Sequence, residues 1–149
     1  MCPKSTRRSL AAGHEQTEDA MHGLYRQVRL EKQYFETLVM KNPAAIIVMG
    51  LSDSILSWNP AAEKLFGYTQ AEAIGQNIDD LITTEEIRAE AVAYSRQASR
   101  GETVHAITRR KRKDGTLVDV EVFALPVTVE GTEIAAFAIY HDITEVMHF

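Results

Sequence analysis

A chain of 149 residues with a net charge of -5 has room for one compact domain and a terminal arm. The negative charge disfavours nucleic-acid and membrane partners, and no apolar run approaches the roughly 20 residues that cross a bilayer. The only cysteine is Cys2, which excludes an intrachain disulfide and a cysteine-rich zinc cluster. These features favour a cytoplasmic protein.

The N-terminal part divides into two segments. Residues 1–18 mix basic, small and polar side chains without periodicity, which predicts a disordered leader. Residues 19–42 are predicted to form an amphipathic dimerisation helix, because apolar side chains recur on one face until Pro43 ends the pattern. These apolar positions are Met21, Leu24, Val28, Phe35 and Leu38. Glu31 interrupts the stripe, which leaves a short coiled coil open.

The middle of the chain combines a hairpin with three helices. Segments 44–51 and 55–58 are predicted strands, because both are short, apolar and separated by turn residues. Helices are then predicted over 60–66, 70–74 and 85–100, since a capping residue precedes each and a glycine follows it.

The last third is predicted to be three strands. They cover 104–112, 117–129 and 134–140, with an Asp-Gly turn between the first two. The predicted fold class is therefore α+β: a five-stranded antiparallel sheet with helices on one face, preceded by the amphipathic helix.

Four motifs in this order resemble the PAS domain family, and they place a PAS domain at residues 43–145. They are Trp58-Asn59-Pro60 with Leu65-Phe66-Gly67-Tyr68, Glu72-Ala73-Ile74-Gly75-Gln76, Arg112-Lys113-Asp114-Gly115 and Asp142-Ile143-Thr144. The resemblance implies a sensory or adaptor module that pairs with a second copy and sits beside an output domain. It also implies a signalling junction at Asp142 and Thr144, after which residues 146–149 would begin a truncated output helix.

Flavin and haem, two cofactors of this family, each require particular residues. A flavin adduct needs a cysteine after the Gly-x-Asn motif, but Ile78 follows Gly75-Gln76-Asn77, which excludes the adduct and leaves non-covalent flavin open. Haem is disfavoured, because the predicted helix over 85–100 carries no histidine, and His105 and His141 fit surface positions. No metal site is predicted.

Two interpretations of the core stay open. A cavity between helices and sheet could hold a small apolar ligand such as a fatty acid. Alternatively, the same side chains fill the core at normal density. The predicted lining is Ile78, Leu81, Ile87, Ala91, Tyr94, Ile107, Val120 and Val122.

A homodimer is predicted because the last strand is apolar on both faces, so its second face needs a cover. The amphipathic helix is the available cover, from the same chain or from a partner. The predicted interface comprises Met21, Leu24, Val28, Phe35, Leu38, Trp58, Phe137 and Ile139.

The leading hypothesis is a PAS sensory and dimerisation module of a bacterial signal transduction protein, which binds a small ligand or partner and relays a change through its flanking helices. The alternative is a ligand-free interaction module. The basic run 109–113 is interpreted as a solvated hairpin, because its side chains alternate between faces. No phosphate loop, activated nucleophile or metal-ligand spacing indicates an enzyme, so any catalysis would lie in an output domain such as a kinase or a cyclase.

Overall fold

The computed structural model describes the backbone of residues 3–50 and 52–147 and the side chains of residues 17–50 and 52–145. Two compact units make up the chain, Met1–Leu38 and Val39–Phe149. Helix α1 spans Pro3–Lys41, so its backbone is helical over most of the predicted disordered leader. The difference has a simple reason: no proline after Pro3 interrupts this stretch, and glycines weaken a helix without ending it.

The second unit is built on one antiparallel sheet, as predicted. Its strands are β1 Ala45–Met49, β2 Ile55–Trp58, β3 Val104–Lys111, β4 Leu117–Val129 and β5 Thr132–Asp142. They lie in the order β2-β1-β5-β4-β3, so the last strand in sequence occupies the centre. Every neighbouring pair is antiparallel.

Helices between β2 and β3 cover one face of this sheet. They are α2 Pro60–Phe66, α3 Gln70–Ala73, α4 Ile78–Leu81 and α5 Glu85–Ser99, and a last helix, α6, covers Thr144–Met147. The predicted capping box at Thr69 and Glu72 is present. Helix α4 is an addition to the prediction. It begins at Asn77, whose side chain accepts hydrogen bonds from the backbone of Asp79 and Asp80.

The core lies between the sheet and these helices. Its aromatic centre is Phe66, whose ring lies 5.6 Å from that of Trp58 and 5.3 Å from that of Tyr140. Aliphatic side chains from the sheet and α4 surround these rings, namely Ile47, Ile55, Ile78, Ile82, Val118 and Val120.

Trp58 lies in this core and not in the predicted dimer interface. Only 1% of its surface is exposed, and its indole nitrogen donates a hydrogen bond to the carbonyl oxygen of Tyr68 at 3.0 Å. The register of β1 and β2 shifts between Val48 and Met49. This bulge breaks the two-residue alternation, so Leu56 is 57% exposed while Trp58 points inward.

Asn59 joins three parts of the fold through four hydrogen bonds. Its buried side chain accepts from the backbone nitrogens of Ile46 and Ala62, both at 3.0 Å. It donates to the carbonyl oxygens of Val39 and Ala44, both at 2.9 Å. The residue therefore caps α2 and also holds the segment that leads into β1.

Candidate functional site

The space between α4, α5 and the sheet narrows to a small cavity of about 30 Å³. Four predicted lining residues border it, namely Ile78, Ala91, Tyr94 and Val122. Small-molecule sites usually measure roughly 300–1,000 Å³. In this arrangement the core side chains therefore nearly fill the cleft.

Ile107 does not belong to this lining, and its prediction is wrong. It is 62% exposed on the other face of the sheet, because Val104, Ala106 and Thr108 set the alternation of β3. Val120 is fully buried in the core and Leu81 packs against it, but neither borders the cavity. Ile87 is half-buried on α5, also away from the cavity.

A buried arginine is the main feature of the cleft. Arg110 is 2% exposed, because it continues the inward face of β3. Its Nη1 donates to the backbone oxygen of Arg109 at 2.7 Å and to Oε1 of Glu90 at 3.3 Å. The hydroxyl of Thr108 donates to the same Glu90 oxygen. The positive charge is thus fixed at the base of the cleft.

The Nε of Arg110 is buried without a hydrogen-bond partner among the atoms of the described chain. An unpaired buried donor costs about 1–3 kcal/mol, and more when it carries charge. Native proteins rarely leave such groups unpaired, and an ion or a water molecule is the usual explanation. Arg110 also lines the cavity, so a partner for Nε has a place to bind.

Asp79 faces the same cavity from α4. Its Oδ1 accepts a hydrogen bond from the hydroxyl of Ser95 at 3.1 Å. Burial raises the pKa of this carboxyl above its ordinary value, more than the Ser95 hydrogen bond and the charge of Arg110 lower it. Asp53, also in the lining, has a pKa raised by burial. Both carboxyls therefore hold their protons more tightly than exposed ones.

Tyr140 completes the polar lining from the central strand. Burial raises the pKa of its phenol, while the charge of Arg110 and a hydrogen bond with it act in the opposite direction. The phenol consequently stays protonated and can donate a hydrogen bond at neutral pH.

The sequence pattern predicted only an apolar lining and did not indicate these polar residues as a group. They come from four separate elements, and Asp79 and Ser95 carry no periodic signal. One pattern in the sequence did indicate that Arg110 is buried. The alternation of Val104, Ala106 and Thr108 places position 110 on the buried face, but the basic run around it favoured a solvated hairpin.

The rest of the basic hairpin agrees with the prediction that its side chains are solvated. Arg109 pairs with Asp119 at 3.2 Å on the solvent face. Lys113 pairs with Glu72 at 2.6 Å, and this bond with the backbone bond of Thr69 lowers the pKa of Glu72 to about 2. Among the residues described, the run therefore offers no continuous basic surface.

Asp142 forms a compact junction where β5 meets α6. Its Oδ1 accepts from the backbone nitrogen of Thr144 at 2.9 Å and from the Thr144 hydroxyl at 2.5 Å. Its Oδ2 lies 3.9 Å from Nη2 of Arg112 on the β3–β4 hairpin. An open groove of about 580 Å³ borders Asp142 and Tyr140. Tyr140 thus lines both this groove and the buried cavity.

The sheet face opposite the helices carries an apolar block two rows deep. One row joins Ile46, Ile139 and Phe123, which are direct cross-strand partners. The other joins Val48, Phe137 and Leu125 in the same way. Ile46 is buried and the other five are half-buried in the single chain. We name these six residues the outer block; it contains the predicted interface residues Phe137 and Ile139.

The predicted stripe of α1 is exposed along the helix. Met21, Leu24 and Val28 are 67%, 64% and 56% exposed, and Phe35 and Leu38 are also exposed. Exposed apolar side chains at this spacing are typical of a helix that binds a partner.

A family model described as a PAS domain matches residues 43–145. The chain belongs to the PAS domain family. PAS domains are sensory modules, and the five-stranded sheet with its helices is the fold expected for one.

Relatives of this PAS domain occur in several sensor proteins. The oxygen sensor protein DosP of Escherichia coli (strain K12) is 30% identical over 96 residues, which are 61% of this chain but 12% of DosP. A PAS domain from Colwellia psychrerythraea is 26% identical, with a TM-score of 0.68, over 78% of this chain and 98% of that one. An RNA-binding light-oxygen-voltage receptor is 25% identical, with a TM-score of 0.68, over 80% of this chain and 35% of that one.

A haem or a flavin ring system is much larger than the cavity of about 30 Å³, and Ile78 offers no thiol where an adduct would form. Among the side chains described, no three His, Cys, Asp or Glu residues lie close enough to hold a metal ion. Within the same part of the chain, no helix has the length and apolar character needed to span a membrane.

Proposed function

We propose that this PAS domain is the homodimeric sensory module of a signalling protein, in which a small ligand in the cleft biases the arrangement of the flanking helices. The outer block is the observation that carries the dimer. An antiparallel sheet with one wet face alternates apolar and polar residues, but β1, β4 and β5 carry apolar side chains outward as well as inward.

A second copy supplies the cover for this face. The α1 stripe of the partner has matching apolar character and exposed side chains, and burying both surfaces together removes them from water. Because each copy carries both surfaces, a two-fold arrangement forms the contact twice. Such an interface closes on itself and stops at two chains.

The relay runs along the central strand. Tyr140 lines the cavity, and Asp142, two residues later, accepts a hydrogen bond from Thr144, the first residue of α6. On the hairpin, Arg110 faces the cavity and Arg112 faces Asp142. A ligand that moves Arg110 or Tyr140 therefore acts on residues that are covalently close to the junction. It shifts the junction only if it binds one arrangement more tightly than the other.

A ligand-free dimerisation module is the second candidate function. The small cavity volume of about 30 Å³ favours it, because the core is nearly closed without a ligand. In this case the chain pairs larger subunits, and the outer block and the α1 stripe retain their role.

The matched region spans 12% of DosP, so the function of a whole protein containing this module is also a proposal. We infer a cytoplasmic bacterial signalling protein whose catalytic activity, where present, lies in a separate output domain.

The dimer is tested with two glutamate variants of α1. Val28→Glu places an unpaired carboxylate in the proposed apolar contact, so we expect the dimer to weaken roughly 100-fold or more. Gln33→Glu adds the same charge on the opposite side of the helix and serves as the control. Molar mass is measured by light scattering across a concentration series. Equal dimerisation by both variants, or a monomeric parent chain, would refute the proposed interface.

A further inference from the structure

The lining of the buried cavity contains hydrogen-bond donors that restrict the kind of ligand it can bind. Its lining includes Arg110, whose Nε has no partner, and the phenol of Tyr140, which stays protonated. Two buried hydrogen-bond donors thus lie beside one space. Such a space fits a ligand that accepts hydrogen bonds, and a water molecule needs only about 10–15 Å³ of it.

The charge of the lining favours a negative ligand. Arg110 is fully buried, whereas its ionic partner Glu90 is 40% exposed and engages it only through Nη1. Solvent weakens the hold of Glu90 on that charge. The other acids that line the cavity are Asp79 and Asp53, and burial raises the pKa of each above its ordinary value. The positive charge of Arg110 is therefore only partly compensated by Glu90, and its Nε is left without a partner in the described chain.

The side chains that border the cavity also allow the cleft to widen. Five alanines border the cavity, Ala91 and Ala98 from α5 and Ala124, Ala136 and Ala138 from the sheet. Because alanine side chains are short, those of α5 and those of the sheet do not interdigitate across the cavity. Tyr94, which is half-buried at the same place, can turn toward solvent and open the space. A ligand of several atoms can then replace the water.

We infer that the cleft binds a small oxyanion, held by Nε of Arg110 and the hydroxyl of Tyr140. This inference rests on the proposed function, since it names the chemical class of the ligand for the same cleft. A carboxylate matches the planar fork of a guanidinium and accepts from a phenol at the same time. The predicted fatty acid shares the carboxylate, but the apolar lining predicted for its chain is only partly present.

The test is a titration of the full chain, at constant ionic strength, with acetate and formate as organic carboxylates and nitrate and phosphate as inorganic oxyanions. Acetamide is the neutral match of acetate, and 1-hexanol is a neutral apolar probe. At 100 times its Kd, an oxyanion should raise the Tm by roughly 5–10 °C. Stronger binding of the carboxylates indicates an organic acid as the source, and stronger binding of the inorganic ions indicates a mineral anion.

Three variants connect this binding to the cleft. Arg110→Gln and Tyr140→Phe each remove one donor, so each should bind acetate at least roughly 10-fold more weakly by calorimetry. Tyr140→Phe keeps the packing and remains informative if Arg110→Gln fails to fold. Arg109→Gln removes a neighbouring arginine on the solvent face and should bind as the parent does.

The outcomes separate this inference from the proposed function. Equal effects of acetate and acetamide, or unchanged binding in both donor variants, would overturn the oxyanion site. Stabilisation by 1-hexanol alone also overturns the oxyanion site, but it supports the proposal that the cleft binds a ligand. If no probe stabilises the chain, the cleft holds only water, and both the oxyanion and the ligand-sensing role are wrong.

Discussion

Replacing Asn59 with alanine is expected to lower the free energy of unfolding by about 3–5 kcal/mol. The substitution removes the cap of α2 and leaves the carbonyl oxygen of Ala44 and the backbone nitrogen of Ile46 without the partner they have in Asn59. The carbonyl oxygen of Val39 keeps only a longer bond from the backbone nitrogen of Asn42, at 3.4 Å. These groups are buried, so water does not replace the lost bonds at no cost. Since small domains are stable by about 5–15 kcal/mol, the loss is large. Urea unfolding followed by circular dichroism measures it.

Asn77→Ala is the matched control for this prediction. Asn77 caps α4 in the same way but bonds only to the backbone of Asp79 and Asp80, at a half-buried position. Loss of an ordinary cap costs about 1 kcal/mol. Equal effects of the two substitutions would mean that the long-range bonds of Asn59 contribute nothing.

Replacing Trp58 with alanine is expected to cost about 3–5 kcal/mol of stability. The side chain is buried against Phe66, and its removal leaves a cavity and an unpaired carbonyl oxygen on Tyr68. The effect should appear as a lower urea midpoint in the folded chain, with an unchanged molar mass below the transition. This result would separate a core tryptophan from the interface tryptophan that the sequence predicted.

Leu56→Ala provides the control within the same strand. Leu56 is 57% exposed, so its truncation should change the free energy of unfolding by no more than about 0.5 kcal/mol. Small losses for both substitutions, or large losses for both, would show that Leu56 and Trp58 share one face of an unbroken strand and that the bulge in β2 is placed wrongly.

The sequence was informative wherever a signal was local. The apolar run of β5, the turn at Asp114-Gly115 and the cap at Thr69 all predicted elements that the structure contains. Each signal depends on side chains within a few residues of one another, and backbone geometry fixes its meaning. The same holds for the family motifs, which marked residues 43–145.

The sequence predictions were wrong where the face on which a side chain lies depends on the partner strand or on the phase of the alternation. The bulge that turns Trp58 inward depends on its pairing with Ile47, which the sequence of β2 alone does not reveal. Ile107 was assigned by its apolar character, but it lies one residue out of phase with the buried face of β3. Sequence periodicity fixes which residues share a face and leaves open which face is covered.

The polar cleft illustrates the hardest case. Asp79, Ser95, Arg110 and Tyr140 meet only after the sheet and helices have packed. Nothing in their spacing marks them as a group, and composition favours exposure for three of the four. Within a basic run, residue type alone predicts that an arginine is solvated. Only the alternation along the whole of β3 indicates that Arg110 is buried. The fold therefore followed from the sequence more completely than the site did.

The most direct test of the proposed dimer compares the full chain with residues 39–149 by molar mass and free energy of unfolding. We expect the full chain to have twice its single-chain mass of 16.7 kDa. If α1 covers the outer block as proposed, the shorter chain should be less stable and should aggregate or bind a dye that reports exposed apolar surface. A shorter chain that is monomeric, monodisperse and as stable as the full chain would contradict the proposed contact between α1 and the sheet.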